Sequence, residues 1–317
     1  MRLDRPFRGS AAVARGELTE WRLRGREFVA LGPDVYVAAC VPVDQLLMAR
    51  AAMLRHPEGA ITGAAAATLW GAGEAVADAR RVGAPTEILV PGAGIRSRGG
   101  LEVRRAALDP DEVTVWPDGP ESPPLRLTSP ARTFVEVARR LATVDAVVVG
   151  DALARRCGLT PTDVVALADR RSGERGMARV RAAAALVHPG ADTPRRTRTR
   201  LGVLLTRLPP PLVDVIATRR ADEAAVGALD LAWPATSSGV LLDRHPEVAR
   251  ACAEDLIAHG WEVVSLGAQG EQPVERVVER ITAFLAHVDR VRWRDLPDIR
   301  RRFPRRPTAP RVFAESP

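Results

Sequence analysis

Lysine is missing from this chain, and so is asparagine: all 46 of its basic residues are arginine. Without lysine there is no P-loop lysine, no Schiff-base amine and no lysine general base. Without asparagine, only Gln45, Gln269 and Gln272 remain to read adenine with a side-chain amide. Cysteine is scarce as well. Cys40, Cys157 and Cys252 stand far apart with no CxxC pair, so neither a disulfide framework nor a zinc knuckle is expected. They read as small buried hydrophobes in a reducing compartment. No HExxH or GxSxG occurs, and His56, His188, His245, His259 and His287 lack metal-ligand spacing. His56-Pro-Glu and His245-Pro-Glu read as surface residues at helix starts. Tyr36, the single tyrosine, reads as a packing residue. No apolar run reaches the roughly 18–20 residues of a membrane span. The first residues carry charge where a signal peptide would be apolar, so a cytoplasmic protein with no membrane partner is expected.

What remains is apolar and basic. Hydrophobic residues make up 46% of 317, enough for real cores and about two domains. The net charge is +7. Guanidinium binds phosphate bidentately, so the excess points to a polyanionic partner. A solvated basic surface shaped by codon usage is the alternative.

Along the chain, residues 10–25 suggest two short helices around Gly16, with Leu18, Trp21 and Leu23 as apolar anchors. Residues 26–39 alternate like a two-stranded ribbon turning at Gly32-Pro33-Asp34. Helices followed by a ribbon outline a winged helix over 1–40. Arg15, Arg22, Arg24 and Arg26 would cluster on its second helix and wing and contact DNA. A small α+β cap with a basic rim is the bland alternative. A middle region, 41–190, reads as α+β and helical. It holds a helix over 43–55 started by Asp44 and a small-residue helix in AITGAAAATLWGAG. Strands follow at PTEILV and LEVRRAAL around the turn GAGIRSRGG. A helix opens at Thr128-Ser129-Pro130, and three more lie near 144–156, 161–170 and 175–187. From 191 to about 290 the order reads α-β-β-β-α-β-α, an α/β sandwich with a mixed sheet. The fold class is therefore α/β, or α+β over the whole chain. Residues 291–317 read as a disordered basic tail.

One segment breaks a rule. DTPRRTRTRLGVLL puts Arg195, Arg196, Arg198 and Arg200 at a helix N-terminus, where the macrodipole favours acids. Further on, Asp230 lies within VGALDLAWP and Asp243 ends GVLLD, with Glu247 on the next helix. Acids converging on one sheet edge are what a metal-dependent phosphodiesterase requires.

In these residues the segment from about 192 to 288 resembles the very-short-patch-repair-like branch of the PD-(D/E)XK nucleases. The matches are Thr193-Pro194, Thr197, Arg200, Asp230-Leu231-Ala232-Trp233-Pro234, Asp243 and Gly260-Trp261. The resemblance implies a restriction-endonuclease-like fold with Asp230 and Asp243 as remnant catalytic residues. It calls for glutamate where Arg196 and Leu241 stand, and for glycine where Arg244 stands. Those departures imply an impaired metal site, with Arg195, Arg196, Arg198 and Arg200 free to meet DNA phosphates. The winged-helix-like start, the VYV strand, GAAAATLWG and TSPARTFVEVARRL resemble the type IV antitoxin AbiEi-like group, which pairs a DNA-binding module with a regulatory domain. The expectation is a DNA-binding transcriptional regulator or antitoxin-like protein, without a cofactor, with DNA and a cognate toxin as partners. Two alternatives stand beside it. One is a Mg²⁺-dependent endonuclease using Asp230 and Asp243, helped by Glu247 or Glu223. The other is a toxin-neutralising scaffold.

Overall fold

In a computed structural model, described over residues 3–79, 85–92, 100–118, 123–218, 224–266 and 272–292 (side chains of 289–292 excepted), the chain divides into two units between Ala185 and Leu186. The expected break at 190/191 lies five residues late, and the expected separate module at 1–40 belongs to the first unit. The turn GAGIRSRGG lies almost wholly outside the described residues, as do Glu223 and the tail.

The first unit opens with β1 (Phe7–Arg8), α1 (Gly9–Ala14), α2 (Glu20–Leu23), β2 (Phe28–Gly32) and β3 (Val35–Ala38). The strands form an antiparallel sheet in the order β1-β3-β2. Gly16 takes φ +71 between the two helices, which only glycine adopts without cost, and Thr19 caps α2 by accepting from the Arg22 amide. Phe7, Ala12, Leu18, Leu23 and Phe28 make the core, with Tyr36 packed on it as expected. Trp21 corrects the reading: it is 83% exposed. Apolarity alone does not say which side of a one-turn helix meets the core.

Helix α3 (Gln45–Arg55), capped by Asp44, explains why this module is not separate. Leu47 and Ala51 pack against Leu31, Val35 and Val37 of the small sheet. On the same helix, Ala49 and Ala52 pack against Ile61, Ile88 and Leu127 of the next sheet. That sheet contains β4 (Ala60–Thr62), β5 (Thr86–Val90), β6 (Leu101–Arg105), β7 (Val113–Trp116) and β8 (Leu125–Thr128), in the order β6-β5-β4-β8-β7. The expected small-residue helix thus starts one strand late, as α4 (Gly63–Ala67) and α5 (Gly73–Ala79) with a π-helical turn between. Next come α6 (Pro130–Ala138), α7 (Thr143–Cys157), α8 (Pro161–Arg170) and α9 (Met177–Ala184), close to their expected spans.

A buried ionic ladder ties sheet and helices together. Arg132 and Glu136, each 1% exposed, are bridged at 2.7 Å. Arg132 also reaches Glu112 at 2.9 Å, and Arg171 reaches Glu112 at 2.6 Å. Arg104 joins Glu136 at 2.7 Å to Glu87 at 3.3 Å, and Arg140 donates to Glu87 at 2.7 Å. Burial works against the Arg171 charge, but the Glu112 and Glu174 carboxylates outweigh it and raise its pKa. Two other expectations fail here. His56, read as a surface residue, is 6% exposed at the C-terminal end of α3. Cys40, read as buried, is exposed.

The second unit runs α10 (Pro194–Leu204), β9 (Leu212–Thr218), β10 (Ala225–Trp233), β11 (Ser238–Leu242), α11 (Pro246–Ala258), β12 (Glu262–Leu266) and α12 (Val274–Arg292). This is the expected α-β-β-β-α-β-α order. The sheet runs β12-β11-β10-β9, antiparallel except for the parallel pair β11–β12. Val203 of α10 and Val277, Ile281 and Leu285 of α12 cover one face with Leu231, Trp233 and Val240. Leu256 of α11 covers the other with Leu229, Ala232 and Leu241. Trp233 is a core anchor whose indole N–H donates to the Pro209 carbonyl at 2.8 Å.

Candidate functional site

The second unit gathers its acids where β10 and β11 part. The ladder pairs Trp233 with Ser238, Ala232 with Gly239 and Leu231 with Val240. One step further, the Asp230 side chain takes over from the backbone: the Leu242 N–H donates to Asp230 Oδ2 at 2.7 Å. Asp230 is 8% exposed, so its charge must be compensated from within the protein.

Arginine supplies that compensation. Thr193 caps α10 by accepting from the Arg196 amide at 3.2 Å, which fixes where the first turn's side chains point. Arg196 Nη1 lies 3.0 Å from Asp230 Oδ1 and 2.7 Å from Asp192 Oδ1. Its Nη2 donates to the Leu242 carbonyl at 2.8 Å. Arg244 approaches from the end of β11, with Nε 3.3 Å from Asp230 Oδ2 and Nη2 donating to the Ala228 carbonyl at 2.9 Å. Arg195 Nε bridges Asp243 Oδ1 at 2.9 Å. Three guanidiniums thus face Asp192, Asp230 and Asp243.

Two of the four cations of α10 are therefore answered by acids, Arg195 by Asp243 and Arg196 by Asp192 and Asp230. They do not form a solvated basic face. Arg200 is 5% exposed and donates to the Leu186 carbonyl at 2.8 Å, so it is packing, not a phosphate contact. Arg198 is half-buried. Arg195, with 30% of its side chain exposed, and Arg196, with 17%, likewise keep partial access to solvent.

This donor set does not fit a divalent metal. Both Asp230 oxygens are already engaged, one by Arg196 and the other by the Leu242 amide and Arg244. A hard cation needs several free oxygens and net negative charge, and the arginines supply the opposite. Among the described residues no group of three His, Cys, Asp or Glu is placed to hold a metal. Leu241, where the resemblance calls for a ligand, is fully buried against Leu229, Ala232 and Leu256. Glu247 is exposed in the first turn of α11, behind the N-cap His245.

Asp243 carries a left-handed backbone, φ +52, which aspartate tolerates better than most residues. Burial pushes its carboxyl up from the usual aspartate value, and Asp230 and Asp192 push the same way. Arg195 and Arg196 oppose the shift without cancelling it.

In the first unit, three of the four arginines expected at DNA are bridged to glutamates. Arg15 makes a two-pronged bridge to Glu17, 3.0 Å on each prong. Arg22 bridges Glu27 at 3.3 and 2.6 Å, and Arg24 bridges Glu20 at 2.8 Å. Arg26 is exposed. The sequence reading missed these three glutamates, although Glu20 and Arg24 stand four apart on one helical face and could have been paired by spacing. It named Arg244 but missed its pairing with Asp230, and missed Asp192 altogether, because no local spacing links either to Asp230. Neither known protein-family models nor curated proteins give a match to this chain.

Proposed function

We propose that this chain is a DNA-binding regulator whose second unit has a nuclease-type arrangement with arginine in place of the metal. One observation carries the reading: Asp230 sits at the parting of two strands with both carboxylate oxygens taken, by Arg196 at 3.0 Å and by Arg244 at 3.3 Å with the Leu242 amide. The element order α-β-β-β-α-β-α and the placement of Asp230 support the likeness to the PD-(D/E)XK fold. The clamp supports the loss of hydrolysis, because metal-dependent cleavage requires a carboxylate pair open to the cation.

The DNA-binding half of the proposal draws on the small β1-β3-β2 sheet, the two short helices between β1 and β2, and a net charge of +7. Helices followed by a hairpin wing are a common way to present side chains to a groove. Charge of this sign steers a protein to nucleic acid and makes binding salt-dependent.

The test is duplex binding across a salt series by fluorescence anisotropy, with and without Mg²⁺ or Mn²⁺. Salt-sensitive binding with intact DNA supports the proposal. Absence of binding at low salt removes the regulator, and metal-dependent cleavage removes the clamp's inactivating role.

A further inference from the structure

The face around α2 combines two features that packing does not explain. Trp21 is 83% exposed, while Leu18 and Leu23 beside it are 6% and 7% exposed. The module had a core to offer and left its largest side chain outside. In the same stretch of chain, Arg15, Arg22 and Arg24 are each held by a glutamate two to five residues away, over distances of 2.6 to 3.3 Å. Ion pairs this exposed add little to folding stability, so stability does not account for three of them so close along the chain.

We propose that this face is the DNA-contacting surface in a self-neutralised state: Glu17, Glu27 and Glu20 hold Arg15, Arg22 and Arg24 until backbone phosphates displace them, and Trp21 makes the non-ionic contact. The proposal rests on the DNA-binding reading above and specifies which side chains execute it. The chemistry favours phosphate as the competing ligand. Each guanidinium already presents its N–H fork to a two-oxygen acceptor, or one edge of it in the case of Arg24, and phosphate offers the same geometry with more charge. Arg26, exposed beside them, is left to make the first long-range attraction. Trp is among the residues enriched where contact energy concentrates at protein interfaces, because its large ring buries much surface at once.

The glutamates act as a filter. Hydrogen bonds from Arg15 and Arg22 hold Glu17 and Glu27 below the usual glutamate range. They stay charged at neutral pH, and release requires a competing anion, not a proton. Weak, scattered polyanions do not repay the broken bridges, whereas a duplex that aligns phosphates with all three arginines does.

The experiment compares the full chain with E17Q/E20Q/E27Q, W21A and W21F, by anisotropy on a labelled duplex over a salt series. Thermal melts serve as the folding control. The triple variant should bind roughly tenfold tighter, with a log–log salt slope steeper by up to about 0.9 for each arginine released. W21A should lose roughly tenfold, W21F less, and all variants should keep the parent melting temperature. Emission from Trp21, taken as the difference between the parent and W21F, should be quenched by duplex. If the parent binds DNA but the triple variant and W21A match it in affinity and slope, the inference fails while the DNA-binding reading stands. If no variant binds at any salt, both fail. If the parent binds acidic protein through Trp21 and duplex leaves its emission unchanged, the face serves a protein partner and the inference is overturned.

Discussion

Asp230 concentrates the account at the residue scale. It is 8% exposed and meets two guanidiniums and one amide. Arg196→Glu with Arg244→Gly removes both cations and restores the residue types that the nuclease resemblance calls for. Titration calorimetry with Mn²⁺ should then register binding that the parent lacks; equal heats would contradict the clamp. Leu241→Glu is no part of that repair, because Leu241 is fully buried among apolar side chains and a carboxylate there would destabilise the core. Asp243 gives a separate test. Its folded carboxyl is raised by burial, so the folded state binds the proton more tightly than the unfolded chain. The stability it contributes is present below the unfolded aspartate value and is lost as pH rises through the raised one. Asp243→Asn should flatten that slope and leave the melting temperature at neutral pH equal or higher. A clear drop at neutral pH would mean the Arg195 bridge outweighs burial. Much of this site was legible beforehand: Asp230, Asp243 and the arginine in place of glutamate at 196 were all visible. Their partners were not, since Arg244 and Asp192 meet the site only through the tertiary fold. Trp21 and His56 were misjudged for a related reason, because residue type fixes a preference for burial and not its outcome.

At the scale of elements, periodicity served where elements were long. Helices α3, α6, α7, α8, α11 and α12 stood out by spacing and by caps such as Asp44 and Ser129. Strands β1, β4, β7 and β8 did not, being two to four residues long, at or below the shortest alternation that marks a strand. β5 and β6 were read as strands, but their parallel pairing, Thr86 with Leu101 through Val90 with Arg105, is a property of topology. The ionic ladder under α6 was equally hidden. Its centre, Arg132 with Glu136 and Glu112, places one cation between two acids at 1% exposure. Arg132→Met would leave two buried carboxylates short of a partner, at a cost of about 3–5 kcal/mol. At about 2–4 °C per kcal/mol, the melting temperature of the first unit should fall by roughly 10 °C. A loss below about 1 kcal/mol would show that Arg104 and Arg171 suffice, since surface-like ion pairs are worth no more than that.

Over the whole molecule, the two candidate sites treat their arginines differently. The first keeps its arginines at α2 exposed, bridged only by exposed glutamates. The second turns Arg195, Arg196, Arg200 and Arg244 inward onto acids and carbonyls. DNA affinity should therefore respond to the first unit. Arg22, Arg24 and Arg26 changed together to Ala should lower both affinity and the salt slope, the slope by up to about 0.9 for each phosphate no longer neutralised. Arg200→Ala should alter stability and leave the slope unchanged. A slope that follows Arg200 and ignores Arg22, Arg24 and Arg26 would reverse the assignment. The central claim, a chain that holds DNA with a carboxylate site closed by arginine, is tested most directly on one labelled duplex incubated with the full protein and Mn²⁺. Products are resolved on native and on denaturing gels. A shifted duplex is expected on the first and full-length strands on the second. Strand cleavage that disappears in Asp230→Asn would contradict the claim.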